Sequence, residues 1–335
     1  MLLALVAASC GDQRPPTTTA PLVSTTDAAA TSTSAAETTT TALAYAYPYD
    51  LAVHPLAPVI QPDDWDQSYT AVPWVMVDGG ETLLFYAGAS GRAASLGLAT
   101  SDDGVAFERH ADNPLFTPPG GLGWFSIAEV DGQFVMWYVT GFSPPYRTVN
   151  RATAPSLDGP WTDEGEAFTA PDREWDQFIV PTGVTEIDGT LYMPYAGYDQ
   201  TDRIPAIGIL SSADGVSWEP VSELPIHTAT EGSWDEKGVV PTNIIETEHG
   251  LELFFLGFDE APKVGYQKNS IPMGRLVSSD GGATWSVDHD GLPVVDTEER
   301  GWPGVSVAYV EGEYQFYLGD DLGGAGISLI TGTIP

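Results

Sequence analysis

Two sets of carboxylates in this chain are marked out by the residues beside them. Asp66, Asp176 and Asp235 each follow a tryptophan, at Trp65, Trp175 and Trp234. Asp199, Asp259, Asp320 and Asp321 come just after the glycine that closes an apolar run, and Glu129 lies inside such a run. A carboxylate accepts strong hydrogen bonds from hydroxyls, and an indole face packs on the apolar face of a sugar ring. Acids interleaved with tryptophans therefore suit sugar binding. A structural role competes: tryptophan packing between repeated units, with aspartate capping a turn. On the first reading the candidate catalytic acids are Asp199, Asp259 and Glu129. The candidate substrate contacts are Trp65, Asp66, Trp74, Ser126, Trp175, Asp176, Thr182, Trp234, Asp235, Asn243, Trp302 and Asp320.

These residues need a scaffold that brings them together, and the chain repeats one. "WDQSYTAVPWVMVDGGETLLFYAG" (65–88), "WFSIAEVDGQFVMWYVTG" (124–141), "WDQFIVPTGVTEIDGTLYMPYAG" (175–197), "WDEKGVVPTNIIETEHGLELFFLG" (234–257) and "WPGVSVAYVEGEYQFYLG" (302–319) share one grammar. Each opens on Trp, runs through an apolar strand, turns at Asp-Gly or a relative, and alternates through a second strand to Gly, as β-hairpins do. A third strand and a Ser…Asp-Gly…aromatic turn follow in "SLGLATSDDGVAFER", "AIGILSSADGVSWEP" and "MGRLVSSDGGATWSV", with a looser copy around Trp161. Four strands per unit and a period of roughly 50–70 residues predict propeller blades. The fifth unit lacks its outer strand, and residues 49–60 lack a hairpin of their own. The expected fold is all-β: a five-bladed β-propeller of four-stranded antiparallel blades over 45–335, its ring closed by the N-terminal strand 49–60. Tight turns join strands 1–2 and 3–4. The long 2–3 loops and the links between blades gather on the other face, where loops held by a rigid scaffold carry function.

The five units and the hairpin pattern Asp-Gly-x-[Leu/Phe/Tyr]-x-[Met/Phe]-x-Tyr-x-Gly resemble the five-bladed glycoside hydrolase superfamily of arabinanases, β-xylosidases, invertases and levansucrases, over residues 49–335. The resemblance implies carboxylates at the start of inner strands, facing each other across a central funnel about 5–10 Å apart. Six residues before each turn glycine stand Pro73 or Trp74, Ser126, Gly183 beside Thr182, Asn243 or Ile244, and Ser306, none of them acidic. Two readings follow: a carbohydrate-active enzyme with displaced acids, or a catalytically silent propeller that captures a glycan or a protein. "SSDGGATW" (278–285) also resembles the sialidase Asp-box, which is a structural turn; few arginines lie near inner strands to form the clamp a sialidase needs.

The 335 residues carry 47 acidic and 12 basic side chains, a net charge of −35. Such a surface repels phosphate backbones and anionic membranes, so no nucleic-acid partner is expected. The expected partner is a glycan, and the expected state is a monomer. The sole cysteine, Cys10, rules out a disulfide within the chain and a cysteine metal site. "MLLALVAASCGD" resembles a bacterial lipoprotein signal, in which Cys10 is lipidated and the membrane is met only through that anchor. Residues 11–44, rich in Thr, Ser, Ala and Pro, read as a disordered tether. An exported, surface-attached or secreted protein is the expectation. The five histidines have no ligand spacing, and no phosphate- or dinucleotide-binding motif appears. No cofactor is expected; acids are plentiful enough for calcium, but no EF-like loop supports it.

Overall fold

The computed structural model describes residues 49–141, 143, 145–259, 271–296, 304–319 and 326–334. Cys10, the 11–44 tract, Trp302 and Asp320 lie outside the described residues. The chain divides into two units, Met1–Ala44 and Tyr45–Pro335.

The second unit is the expected propeller. A closing strand β1 (Asp50–Val53) precedes blade one, which is β2 (Tyr69–Asp78), β3 (Glu81–Ala89), β4 (Ser95–Ser101) and β5 (Glu108–Arg109). Blade two is β6 (Leu122–Val130), β7 (Gln133–Thr140), β8 (Thr148–Ala154) and β9 (Thr162–Thr169). Blade three has an inner strand in two pieces, β10 (Phe178–Pro181) and β11 (Thr185–Ile187), followed by β12 (Thr190–Tyr198), β13 (Ala206–Ser212) and β14 (Glu219–Pro220). Blade four is β15 (Gly238–Thr247), β16 (Gly250–Phe258), β17 (Pro272–Ser278) and β18 (Ser286–Val287), with β19 (Val295–Asp296) added at the far end of β17. Blade five is β20 (Val305–Val310), β21 (Glu313–Gly319) and β22 (Ile327–Thr333), completed by β1. No helix among the described residues is long and apolar enough to cross a membrane.

Closure follows the expectation. β1 runs antiparallel to β22 from Asp50 opposite Thr333 to Val53 opposite Ile330. The ladder resumes where Val59 N donates to Ile327 O at 2.8 Å and buried Ile60 bridges Ile327. The edge of β22 is thereby covered, and β1 becomes the outer strand of blade five.

The hairpin turns obey their sequence. Asp131-Gly132, Asp188-Gly189 and Glu311-Gly312 take positive φ at both central positions, the type I′ geometry that matches strand twist. In blade one Asp78 pairs with Glu81, so the turn centre is Gly79-Gly80, one residue later than the Asp-Gly pattern suggests. In the 3–4 turns Asp103 Oδ1 accepts from the amides of Val105 and Ala106 at 2.9 and 2.8 Å. Asp214 repeats the pattern with Val216 and Ser217, while Asp280 takes the hydroxyl and amide of Thr284, which hold its carboxyl down at about 2. These turns register neighbouring blades. Tyr317 OH in blade five donates to Gly104 O at 2.8 Å, and Trp137 Nε1 in blade two to Gly215 O at 2.9 Å.

Trp65, Trp175 and Trp234 stack on Tyr86, Tyr195 and Phe255, with ring centroids 5.8, 5.9 and 5.5 Å apart. The rings lie over glycines of the second and third strands: a Cβ at Gly97, Gly208 or Gly274 would come within 3.0 Å of the aromatic ring. Gly274→Ala is expected to destabilise the protein by about 1–3 kcal/mol, the usual cost of overpacking. Chemical denaturation checks this, with Gly291→Ala as a control where a Cβ meets only one atom at 4.0 Å, although its φ of 78° adds some strain. Trp124 is not a fourth member of this set. It lies within β6 at the propeller axis, buried, with its ring 6.1 Å from that of Tyr146.

Candidate functional site

The axis is built by the inner strands, and four of them lose their ladder at one height. β2 is irregular between Ala71 and Trp74, β6 between Leu122 and Phe125, and β15 between Pro241 and Ile244; β10 gives way to β11 between Pro181 and Thr185. Val72 sits at φ 50°, a left-handed conformation that a β-branched residue rarely adopts. Bulges re-aim side chains and are common beside active sites. Here they aim polar side chains at the next blade. Trp74 Nε1 donates to Ile127 O at 2.9 Å, Thr182 Oγ1 to Thr242 O at 3.1 Å, and Thr185 Oγ1 to Ile244 O at 2.7 Å. Asn243 exchanges two bonds with Val307, both 2.8 Å, and Val75 N donates to Ser306 Oγ at 3.0 Å. Ser126 is buried in the same ring. At the height where the resemblance implies opposed carboxylates, the residues stitch blade one to two, three to four, four to five and five to one.

On the loop-rich side of this ring the axis is pinched by Val72, Pro73, Trp124, Phe125, Val240 and Pro241, leaving a void of about 10 Å³. On the tight-turn side it widens into a depression of about 520 Å³ lined by all five inner strands. Its floor is apolar, with Trp74, Ile127, Val184 and Val307; exposed Glu129, Glu186 and Glu246 and half-buried Tyr309 stand around its mouth. None of the three glutamate side chains has an ion pair or hydrogen bond among the described residues. Tyr309 donates its hydroxyl proton to Glu248, and that bond pushes its pKa up to about 12.

The other expected residues fall elsewhere. Asp66 is fully buried and receives Arg109 Nη1 at 2.6 Å and the Asp63 amide at 2.6 Å. Asp176, also fully buried, receives Arg173 Nε at 3.0 Å and Tyr195 OH at 2.8 Å. Asp235, 3% exposed, has His227 Nε2 at 3.6 Å and the Thr230 amide at 3.3 Å. Asp66 and Asp176 tie a link to its own blade, whereas the partners of Asp235 lie on the link itself. Asp199 accepts from the amides of Thr201, Asp202 and Arg203 at 2.9, 3.1 and 3.0 Å. Its slight burial would raise its pKa; these bonds outweigh that and hold the carboxyl below its ordinary value. Asp259 is exposed just past β16. Glu129 lies beside the 1–2 turn, at the opposite end of the strands from Asp199 and Asp259, so the three acids do not converge. Glu186, Glu246 and Tyr309 were missed by the sequence reading, although Glu129, Glu186 and Tyr309 all stand three residues before their turn glycine. Among the described residues no group of three or more His, Cys, Asp or Glu is placed to hold a metal ion.

No protein-family model and no curated protein sequence matches the chain. Solved structures do. A glycosyl hydrolase from Bacteroides ovatus superposes with a TM-score of 0.61 at 21% identity, covering 85% of this chain and 94% of that one. A β-1,2-mannobiose phosphorylase from Listeria innocua, in complex with β-1,2-mannobiose, gives 0.62 at 15% identity over 85% and 97%. A structure from the GH130 family of mannoside phosphorylases, described as containing glycoside hydrolases that target β-1,2 mannosidic linkages in Candida mannan, gives 0.61 at 21% over 85% and 94%. At these identities the likeness is one of fold: the chain is a five-bladed β-propeller similar to those enzymes.

Proposed function

We propose that this propeller is carbohydrate-directed and holds a glycan in the turn-side axial depression without cleaving it there. The observation that carries the reading is the stitched ring. Trp74, Thr182, Asn243 and Ser306 occupy the height of the expected carboxylates, and their polar groups are spent on neighbouring blades. The depression has the volume of a small-ligand site, an apolar floor, three free carboxylates to accept sugar hydroxyls and the Tyr309 ring for stacking. A glycan array followed by calorimetry tests this. Glu129→Gln, Glu186→Gln and Glu246→Gln together are expected to weaken binding about 10–100-fold, since hydrogen bonds to charged groups contribute about 1.5–3 kcal/mol each before compensation. Undiminished binding by the triple variant would remove the depression as the site.

The structural neighbours favour a second reading, a glycoside hydrolase or phosphorylase whose acids come from the loop-rich face. Turnover of aryl glycosides or oligosaccharides, with or without phosphate, that is abolished by Asp199→Ala or Asp259→Ala would establish it in place of the first. From "MLLALVAASCGD" and the tract behind it we also infer export and lipid attachment at Cys10. The mass of the mature N-terminal peptide, compared with that of Cys10→Ser, tests it.

A further inference from the structure

The three Trp–Asp corners share one design but are neutralised differently. In blades one and three the buried aspartate meets an arginine, Arg109 or Arg173, whose charge is permanent. The second-strand aromatic there is a tyrosine, and its hydroxyl joins the cluster: Arg109 Nη1 donates to Tyr86 OH at 2.6 Å, and Tyr195 OH donates to Asp176. In blade four the tyrosine is replaced by Phe255 and the arginine by His227. The imidazole leans on the Phe255 ring at 4.6 Å, and its Nε2 stands 3.6 Å from Asp235 Oδ2, buried and without a hydrogen-bond partner. Among the described residues, Asp235 is thus a buried carboxylate whose counter-charge exists only while an imidazole carries its second proton. Left unpaired, such a charge is costly to bury.

Among the described residues the surroundings supply no substitute. Asp235 is the only acid within ion-pair distance of His227 among the described residues. β16 presents Phe255 to the imidazole, and β13 holds the His227 backbone through Ile207. On the link itself Glu231 is exposed, and Glu236 and Lys237 pair with each other at 2.7 Å. The link that carries His227 and Asp235 presents Thr228, Glu231, Glu236 and Lys237 to Ile204 and Pro205 of the preceding loop across a cavity of about 390 Å³ on the loop-rich face.

We propose that His227 and Asp235 form a proton-operated clasp behind the wall of this cavity, each next in sequence to a lining residue, Thr228 or Glu236. With the imidazole protonated, the two side chains draw together and residues 228–237 are fixed. With it neutral, the wall slackens and the cavity loses its shape. Histidine makes that change between about pH 5 and 8. Blades one and three, with arginines, have no such response. The clasp does not depend on which ligand the propeller holds.

Amide hydrogen exchange on the intact protein at pH 5.5 and pH 8, corrected for intrinsic rates, tests it, with the corners at 63–66 and 173–176 as internal references. Protection of 228–237 is expected to fall about tenfold at the higher pH while the reference corners hold steady, a local opening of the kind such exchange reports. His227→Arg is expected to keep the link protected at both pH values. The ring-proton resonance of His227 in the unsubstituted protein should titrate with the same midpoint as the loss of protection, a readout that needs no variant. Equal protection at both pH values, a midpoint unrelated to His227, or a folded His227→Arg variant that keeps the full pH response would each overturn the clasp.

Discussion

Deleting residues 49–60 is expected to abolish the stable fold. The segment supplies the outer strand of blade five, its Val59 and Ile60 contacts to Ile327, and the buried Ile60 side chain. Full burial of one such aliphatic side chain contributes about 1.5–3 kcal/mol, and the backbone ladder lost with it brings the total to roughly 5 kcal/mol. A domain's whole stability is typically about 5–15 kcal/mol. The loss also bares the edge of β22, and an unpaired edge recruits other chains. Size-exclusion chromatography is expected to show association, and thermal melts a much lowered or vanished transition. Adding a peptide of sequence 49–60 is expected to restore the elution and melt of the undeleted chain in part. An unchanged melting curve after the deletion would refute strand exchange as the closing device.

Arg275→Ala is expected to cost about 3–5 kcal/mol, the usual result of stripping one partner from a buried ion pair. Glu252 is completely buried in β16 and takes two bonds from Arg275, at 2.8 and 2.6 Å, and the Tyr314 hydroxyl at 2.9 Å. Burial alone would depress the Arg275 pKa; the Glu252 carboxylate outweighs it and keeps the guanidinium firmly charged. Arg275 also holds Asp288 at 3.0 Å, and Asp288 accepts Tyr49 OH at 2.7 Å, so the network reaches the closing segment. The substitution should lower the melting temperature by roughly 10 °C. Replacing both partners, Glu252→Gln with Arg275→Met, is expected to recover most of the loss. The network has an acid limit as well. Partial burial would raise the Asp288 pKa, but the Tyr49 hydrogen bond and Arg275 hold it below its ordinary value. Its contribution is therefore complete above about pH 4, the unfolded carboxyl value, and is lost as pH falls through the lowered native one. Melts between pH 5 and 2 are expected to show a shallower decline for Asp288→Asn than for the unsubstituted chain.

Most of the fold was written locally and could be read. Asp-Gly turns, strand alternation and the Ser…Asp-Gly signal each act within a few residues, and the missing fifth outer strand pointed to residues 49–60. The failures are non-local. Trp124 was aligned by residue type, but it stands seven residues before its turn aspartate, against thirteen between Trp175 and Asp188. That difference moves it from a blade corner to the axis. Asp66 looked free because its partner Arg109 is 43 positions away. The candidate site was less legible still. Thr182 and Asn243 were correctly placed at the axis, but their hydrogen bonds depend on bulges that leave no simple pattern in a single strand. Glu186 and Glu246 carry no local mark that sets them apart, since charge on a strand next to a turn is the ordinary sign of a solvated face.

At the bulged height Val72, Pro73, Trp124, Phe125, Val240 and Pro241 crowd the axis around a void of about 10 Å³, the room of about one water molecule. The well on the hairpin side and the link cavity on the loop-rich face share no lining residue among the described ones. A substitution in one therefore leaves the walls of the other untouched, and each can change without altering what its opposite retains.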